Sequence, residues 1–356
     1  MYPALAVLDR LNSEFPDVET LWVGSERGME GNLVTKAGVT FETIPAAGVH
    51  GVGISQLPGN ISKILKGILA SHRLLRFFQP DVIFFTGGYV AFPMAVAGLR
   101  LPQILFVPDI EPGLALKFLA YFADIIAVTV SESKKYFQTG KKLTVTGYPV
   151  RHGLSTWNKE DALGFFGLSQ EIPTLLVTGG SLGSLSINQA LVNVLPELLT
   201  DIQIIHLTGS LTWTQFSQVP ETLGPEASKR YKSFPYLHDE MGAALTIADL
   251  VLSRAGASSI GEYPYFGIPA ILVPYPHAWR YQKVNAEYLV ENGAAVILPD
   301  DQMNIRLLAL VRKILNDPEK LSTMREAMST LAVQDSAGFL ARVIYSMDDV
   351  RKRHRN

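Results

Sequence analysis

The sequence predicts an α/β fold of two consecutive domains, each an open parallel sheet wrapped by helices, facing one another across a cleft. Three observations predict it. Strand-like and helix-like segments alternate along nearly all of the 356 residues, the pattern of repeated βαβ units. The strands, among them QILFV, DIIAV and TLLVT, are unbroken apolar runs, as expected where both faces of a parallel sheet are covered. The alternation restarts after Pro149 to Ser155, where Pro and Gly punctuate the chain, and each half has its own Gly-rich strand-to-helix turn. The expected divisions are 1–149, 150–335, and a final helix with a basic tail over 336–356 that packs back on the first domain.

Composition narrows the function classes. Hydrophobic residues make up 47% and charged residues 18%, and the mean hydropathy is +0.18. That is apolar for a soluble protein and points to buried parallel strands or to membrane contact. No run reaches the ~18 uninterrupted apolar residues of a spanning helix. A net charge of −2 gives no overall attraction to nucleic acid, so only local basic clusters carry an electrostatic argument. The chain has no cysteine, which excludes disulfides and thiolate metal sites and fits a reducing compartment. The start, MYPALAVLDRL, lacks the basic region and cleavage site of a secretion signal.

In the first half, residues 2–15 carry Leu5, Leu8 and Leu11 at helical spacing, and TLWVGS at 20–25 follows as a strand. A helix over 29–36 and a strand at 41–46 come next. Residues 60–78 form a helix with Ile61, Ile64, Leu65, Ile68, Leu69, Leu75 and Phe78 on its apolar side. Lys63, Lys66, Arg73 and Arg76 lie between them, with no acidic residue in the segment. Two readings stand: an amphipathic helix at an anionic bilayer surface, or a core-facing helix with a solvated basic face. The strand DVIFFTGG runs into Gly87-Gly88-Tyr89 and a helix over 93–98, a turn that either cradles phosphate or is simply tight. A strand at 103–108, a turn at 109–113, a helix at 114–122 and strands at 124–130 and 143–151 close this half.

The second half opens on TLLVTGGSLGSLSINQAL at 174–191, a strand, a Gly-rich turn and a helix. Its GGSLGS matches neither the dinucleotide GxGxxG pattern nor the GxxxxGK[ST] loop. Strands at 203–209 and 233–237, a helix near Trp213 and another over 239–248 lead into the most informative stretch, 248–286. There the strand LVLS enters the small-residue turn Arg254-Ala255-Gly256-Ala257-Ser258-Ser259 and a helix carrying Glu262, and a second strand, AILVP, ends just before His277. A helix start offers unpaired N–H groups and a positive dipole end, and Gly, Ala and Ser let a phosphate approach. The plainer alternative is a βαβ turn with small residues for packing. A strand at 293–298, helices over 303–315, 318–331 and 336–347, and the tail VRKRHRN, expected to be disordered, complete the chain.

YPALAVLDRL, TGGYVAFP, GYPVR, GGSLGSLSIN, and RAGASSIGE with YQKVNA stand in an order and spacing that resembles the MurG-like family-28 glycosyltransferases. Those enzymes move N-acetylglucosamine from a UDP donor to a lipid-linked muramyl-peptide in peptidoglycan synthesis. The resemblance spans nearly the whole chain. It implies the two-domain GT-B type of fold, an inverting hexosyl transfer, no cofactor and no obligatory metal. It also implies a peripheral place on the cytoplasmic face of the cell membrane, in contact with anionic lipid, a part in cell shape and division, and no nucleic-acid partner. Carried over by position, Arg151 contacts the donor near the hinge, Ser181 with the backbone of Gly179 and Gly180 holds the pyrophosphate, and Asn188 supports that loop. His238 lies where the family sets main chain against uracil. Ala257, Ser258 and Ser259 line the diphosphate, Glu262 takes the ribose hydroxyls, and Gln282 with Asn285 holds the sugar. Gly87, Gly88 and Tyr89 fall on the acceptor side, and Lys63, Lys66, Arg73 and Arg76 on the membrane side.

Two departures accompany the match. The family's first strand and Gly-rich loop, with a candidate catalytic His, would precede Met1, so the chain is expected to start downstream of them and to lack a central strand. The family's His-Glu-Gln-Asn is here Phe106-Val107-Pro108-Asp109, which leaves Asp109 as the candidate base, with Glu111 as a further carboxylate. Two other readings remain: a UDP-N-acetylglucosamine 2-epimerase, and a catalytically silent UDP-sugar-binding protein.

Overall fold

The computed structural model describes the chain apart from residues 26–30, 32–33, 36–37, 49–52, 139, 277–279 and 356, and apart from the side chains of 54 and 348–355. The helix expected over 29–36 lies mostly outside the described residues, and His277 lies wholly outside them. The chain divides into two compact units, residues 1–149 with 335–356, and residues 150–334.

The first unit begins on α1 (Tyr2–Glu14), with Pro3 in its first turn, where a missing N–H removes no helical bond. Val7, Leu8 and Leu11 are buried along one side of it. β1 (Leu21–Ser25) and β2 (Thr40–Ile44) form a parallel pair. After α2 (Leu57–Phe78) come β3 (Ile83–Phe85), α3 (Ala91–Ala97), β4 (Gln103–Val107), α4 (Leu114–Leu119), β5 (Ile125–Val128) and β6 (Lys142–Val145). Strands β3 to β6 make a second parallel sheet in sequence order. No ladder joins β1 to β3 among the described residues, yet both sheets feed one core, where Val23 and Ile44 pack with Ile83, Phe85 and Leu105.

The second unit opens on α5 (Lys159–Phe166), capped by the Asn158 side chain and closed by Gly167 in the left-handed region. Then follow β7 (Thr174–Thr178), α6 (Leu185–Leu198), β8 (Gln203–Leu207), β9 (Tyr231–Phe234), α7 (Met241–Ile247), β10 (Leu250–Ser253), α8 (Glu262–Phe266), β11 (Ala270–Leu272), α9 (Tyr281–Glu291), β12 (Ala295–Ile297), α10 (Met303–Leu315) and α11 (Pro318–Thr330). β9 lies earlier than the 233–237 expected from the sequence, because Pro235 brings no N–H to a ladder. All six strands are parallel in the order β12-β11-β10-β7-β8-β9. The chain therefore builds outward from β7 on one side, returns to lay β10 on β7's other edge, and builds outward again. The reversal between β7 and β10 is a topological switch point, and the crevice beyond the carboxyl ends of those strands is where open α/β sheets bind ligands.

Residues 336–355 form α12 (Ser336–Arg355), which packs on α1: Phe15 stacks on Tyr345 at 4.0 Å, and Arg342 pairs with Glu14 at 3.0 Å. The tail, expected to be disordered, continues this helix to Arg355. The segment DDVRKRHR contains no Gly or Pro to break the helix.

Candidate functional site

Adjacent pairing of Thr178 with Ser253 at the ends of β7 and β10 sets the turn 179–184 beside the turn 254–261. The first turn is wound tightly. Gly179 packs against the Ser184 backbone, Gly180 and Gly183 take φ of 88° and 90°, and Gly183 lies against the Thr208 carbonyl and Gly209. Only glycine fits such a close approach at positive φ. Ser184 then caps α6 by accepting from the Ile187 N–H at 3.5 Å. Gly180 and Ser181 are exposed at the tip, so the start of a 14-residue helix and its loop face outward together, the arrangement that favours an anion.

A buried polar chain holds this loop from behind. His206, in mid-strand β8, has Nε2 3.0 Å from Asn188 Oδ1 and Nδ1 2.7 Å from the Tyr231 hydroxyl. Since the Asn188 oxygen only accepts, Nε2 carries the proton and Nδ1 accepts from Tyr231. Asn188 in turn donates to the Thr208 carbonyl at 2.8 Å and to Thr212 Oγ1 at 3.0 Å. Burial pushes the His206 pKa down to about 3, which keeps the ring neutral.

Several sequence-predicted donor residues are engaged within the protein. Asn188, Ser259 and Asn285 are fully buried. Asn188 supports the loop, as the resemblance implies. The Ser259 hydroxyl donates to the Gly256 carbonyl at 2.6 Å, and the Asn285 amide donates to the Ala255 carbonyl at 3.2 Å. Both brace the second turn, because short polar side chains close to a turn satisfy its backbone before anything else. Ala257 and Ser258 remain half-buried on that turn. Glu262 begins α8, and burial pushes its pKa up to about 7, opposed by the nearby Arg151 guanidinium. Arg151 lies 3.6 Å from Asp239 and donates to the His238 carbonyl at 3.5 Å. The His238 N–H donates to Glu240 at 3.1 Å, so both main-chain groups of His238 have partners within the protein. Gln282 on α9 accepts from the Tyr275 N–H at 2.8 Å. Thus Arg151, Gly179, Gly180, Ser181, Ala257, Ser258, Glu262 and Gln282 belong to one unit, at the turns and helix starts around its sheet.

Sequence reasoning missed His206 and assigned no role to Arg254 or Asp300. Arg254 Nη1 pairs with Asp300, and Nη2 donates to Ser184 and Ser186, each at 2.8 Å. The available signals were a His inside the apolar strand QIIHL and an Arg directly after LVLS.

In the first unit, Gly87 and Gly88 take φ of 101° and 89° after β3, and Tyr89 is 67% exposed. Since β3 pairs with β4, this turn neighbours the one bearing Asp109. Phe106 and Val107 are wholly buried in β4, so they offer nothing polar, and Glu111 is buried with Lys117 at 3.6 Å. Lys63, Lys66, Arg73 and Arg76 are all exposed on α2. The apolar residues of α2 divide: Ile64, Ile68 and Leu75 turn partly inward, whereas Ile61, Leu65 and Leu69 are 51%, 58% and 64% exposed. Among the described residues no helix is long and apolar enough to cross a membrane, and no three His, Cys, Asp or Glu are grouped to hold a metal ion.

Comparisons with known proteins bear on the same two units. Residues 1–128 match the glycosyltransferase family 28 N-terminal domain and residues 174–338 the family 28 C-terminal domain. The UDP-N-acetylglucosamine–N-acetylmuramyl-(pentapeptide) pyrophosphoryl-undecaprenol N-acetylglucosamine transferase of Natranaerobius thermophilus is 34% identical over 355 residues, covering 98% of this chain and 96% of the relative. Among solved structures, MurG of Acinetobacter baumannii superposes with a TM-score of 0.74 at 24% identity, covering 97% and 95% of the two chains. The UDP-GlcNAc 2-epimerase of Neisseria meningitidis, solved with UDP-GlcNAc, gives 0.68 at 12% identity, covering 97% and 96%. Both superpositions speak to the fold, an α/β architecture of two parallel-sheet units.

Proposed function

The chain belongs to glycosyltransferase family 28, and from that premise we propose that it transfers N-acetylglucosamine from UDP-N-acetylglucosamine to a lipid-linked N-acetylmuramyl-pentapeptide, a step of peptidoglycan synthesis. The observation that carries the donor half is the pairing of two anion-suited turns, 179–184 and 254–261, at the switch point between β7 and β10. The relative of 34% identity over nearly the full chain carries the acceptor half. An acceptor hydroxyl attacks the anomeric carbon, a new C–O bond forms on the opposite face, and the bond to the diphosphate breaks with its electron pair leaving on UDP. The N–H group of Ser181 and the start of α6 meet that developing charge, where one well-aimed donor is worth about 3 kcal/mol, while the Gly180 N–H donates to Thr178 Oγ1 at 3.1 Å and holds the loop. Glu262 accepts from the ribose hydroxyls and Gln282 contacts the sugar. Asp109 is the candidate base for the acceptor proton, and the reading assigns no metal a role.

The proposed place of work is the cytoplasmic face of the cell membrane. The outward stripe Ile61, Leu65, Leu69 on α2 is flanked by Lys63, Lys66, Arg73 and Arg76, while Phe118 on α4 is 51% exposed and packs on Phe92. Apolar side chains entering the headgroup boundary beside cations suit an anionic leaflet. Exchanging the four cations for Gln is expected to weaken sedimentation with anionic vesicles more than about tenfold at low salt, from about 1 kcal/mol per cation. Undiminished binding at every salt concentration would remove the cations from the surface argument.

Product analysis tests the reaction. UDP release that requires an added lipid-linked muramyl-peptide, with the sugar recovered on the lipid, is the expected result. An epimerised UDP-sugar formed without acceptor sinks transfer in favour of epimerisation, and donor binding with neither product identifies a silent binder.

A further inference from the structure

Arg254 follows β10 directly, and its side chain is only 10% exposed. Its guanidinium joins the exits of four strands. Nη1 donates to the Val273 carbonyl, beyond β11, at 3.0 Å and pairs with Asp300, beyond β12. Nη2 donates to Ser184, the cap of α6, and to Ser186, which itself donates to Asp300 at 3.0 Å. The guanidinium carbon also stands 5.2 Å from the centre of the Tyr275 ring, within cation–π range. Tyr275 in turn donates its N–H to Gln282. With its charge matched by Asp300 and both terminal nitrogens engaged with protein, Arg254 is built to hold neighbours rather than to receive a phosphate.

We propose that Arg254 is a positioning residue that couples recognition of the donor's sugar to recognition of its diphosphate. On one side it fixes the Ser184 cap that sets the start of α6. On the other, through the Tyr275 ring, it fixes the backbone that orients the Gln282 amide. The two halves of the donor are thereby gripped in one frame, so that loosening the frame releases the sugar before the nucleotide. This inference rests on Gln282 contacting the sugar, and the experiment separates the two claims.

Affinities for UDP and for UDP-N-acetylglucosamine are measured by calorimetry on the full chain, for the parent, Gln282→Ala, Arg254→Lys and the double variant. Gln282→Ala is expected to weaken UDP-N-acetylglucosamine about tenfold, the loss of one buried hydrogen-bond contact, and to leave UDP unchanged. Arg254→Lys keeps the charge but loses the planar fork. It is expected to lower the ratio of sugar-nucleotide to UDP affinity, and the double variant to show no further fall in that ratio. Tyr275→Leu leaves the ion pair intact on a ring that is 46% exposed, and is expected to lower the ratio on a protein that folds as the parent does. If Gln282→Ala lowers the ratio while Tyr275→Leu keeps it, or if Arg254→Lys and Gln282→Ala act additively, the coupling is overturned and the sugar contact stands. If Gln282→Ala keeps the ratio, the sugar contact is wrong and the coupling falls with it.

Discussion

Exchange of Glu262 for Gln is expected to weaken UDP-N-acetylglucosamine binding about tenfold to a hundredfold at pH 8, the range for losing hydrogen bonds to a charged acceptor, and to abolish the pH dependence of binding. The second effect is the diagnostic one. Burial raises the Glu262 pKa to about 7 in the ligand-free protein, whereas the sugar diphosphate itself has no group titrating near there. Ribose hydroxyls donate to the carboxylate, so binding must draw the proton off Glu262 when the pH lies below about 7. Donor affinity should therefore fall as the pH drops from 8 to 6, approaching tenfold per unit on the acid side. The stability of the free protein runs the other way. The folded-state pKa of Glu262 lies above the ordinary carboxyl value of 4.5, so this contribution is complete below about 4.5 and is lost as the pH rises through about 7. Calorimetry of donor binding at three pH values on parent and variant decides the matter. A flat profile in the parent, or an unchanged slope in Glu262→Gln, removes the ribose role.

Gly183→Ala should be among the most damaging single methyls in the donor unit. The added carbon meets the Thr208 carbonyl, Thr212 Oγ1 at 2.7 Å and the Gly209 Cα at 3.0 Å. The carbonyl cannot easily retreat, because the Asn188 amide, itself fixed by His206, holds it. Strain at φ of 90° adds to the collision, and together they are expected to cost about 3 to 5 kcal/mol. That lowers the melting temperature by roughly 10 °C for a unit of this size. Gly180→Ala is the control: φ is 88° but no atom lies within 4 Å of the added carbon. It should cost only about 1 kcal/mol, from strain alone. Equal melting temperatures for the two variants would show that the contact of Gly183 with the β8 exit is not what fixes the loop.

The residues differ in how far their sequence announced them. GGSLGS and RAGASS were legible as strand-to-helix turns because a closely wound backbone requires small residues, and that requirement is local. The buried strands were legible for a similar reason, since a parallel strand covered on both faces leaves an unbroken apolar run. Roles that depend on partners far along the chain were not legible. Asn285 carries the same side chain a ligand contact would need, but it is turned inward onto the carbonyl of residue 255. Arg254 gave no sign that its partners were Ser184, Val273 and Asp300. The two halves of α2's apolar surface, one inward and one facing solvent, read as one helical face until packing divided them.

By itself, then, the sequence determined two parallel α/β units and the position of each Gly-rich turn. The tertiary structure alone decided which turns are neighbours, by laying β10 against β7, and which polar side chains are engaged within the protein. The reason is physical: turn and strand preferences act within a few residues, whereas a hydrogen-bond partner is fixed only when strands distant in sequence are placed side by side.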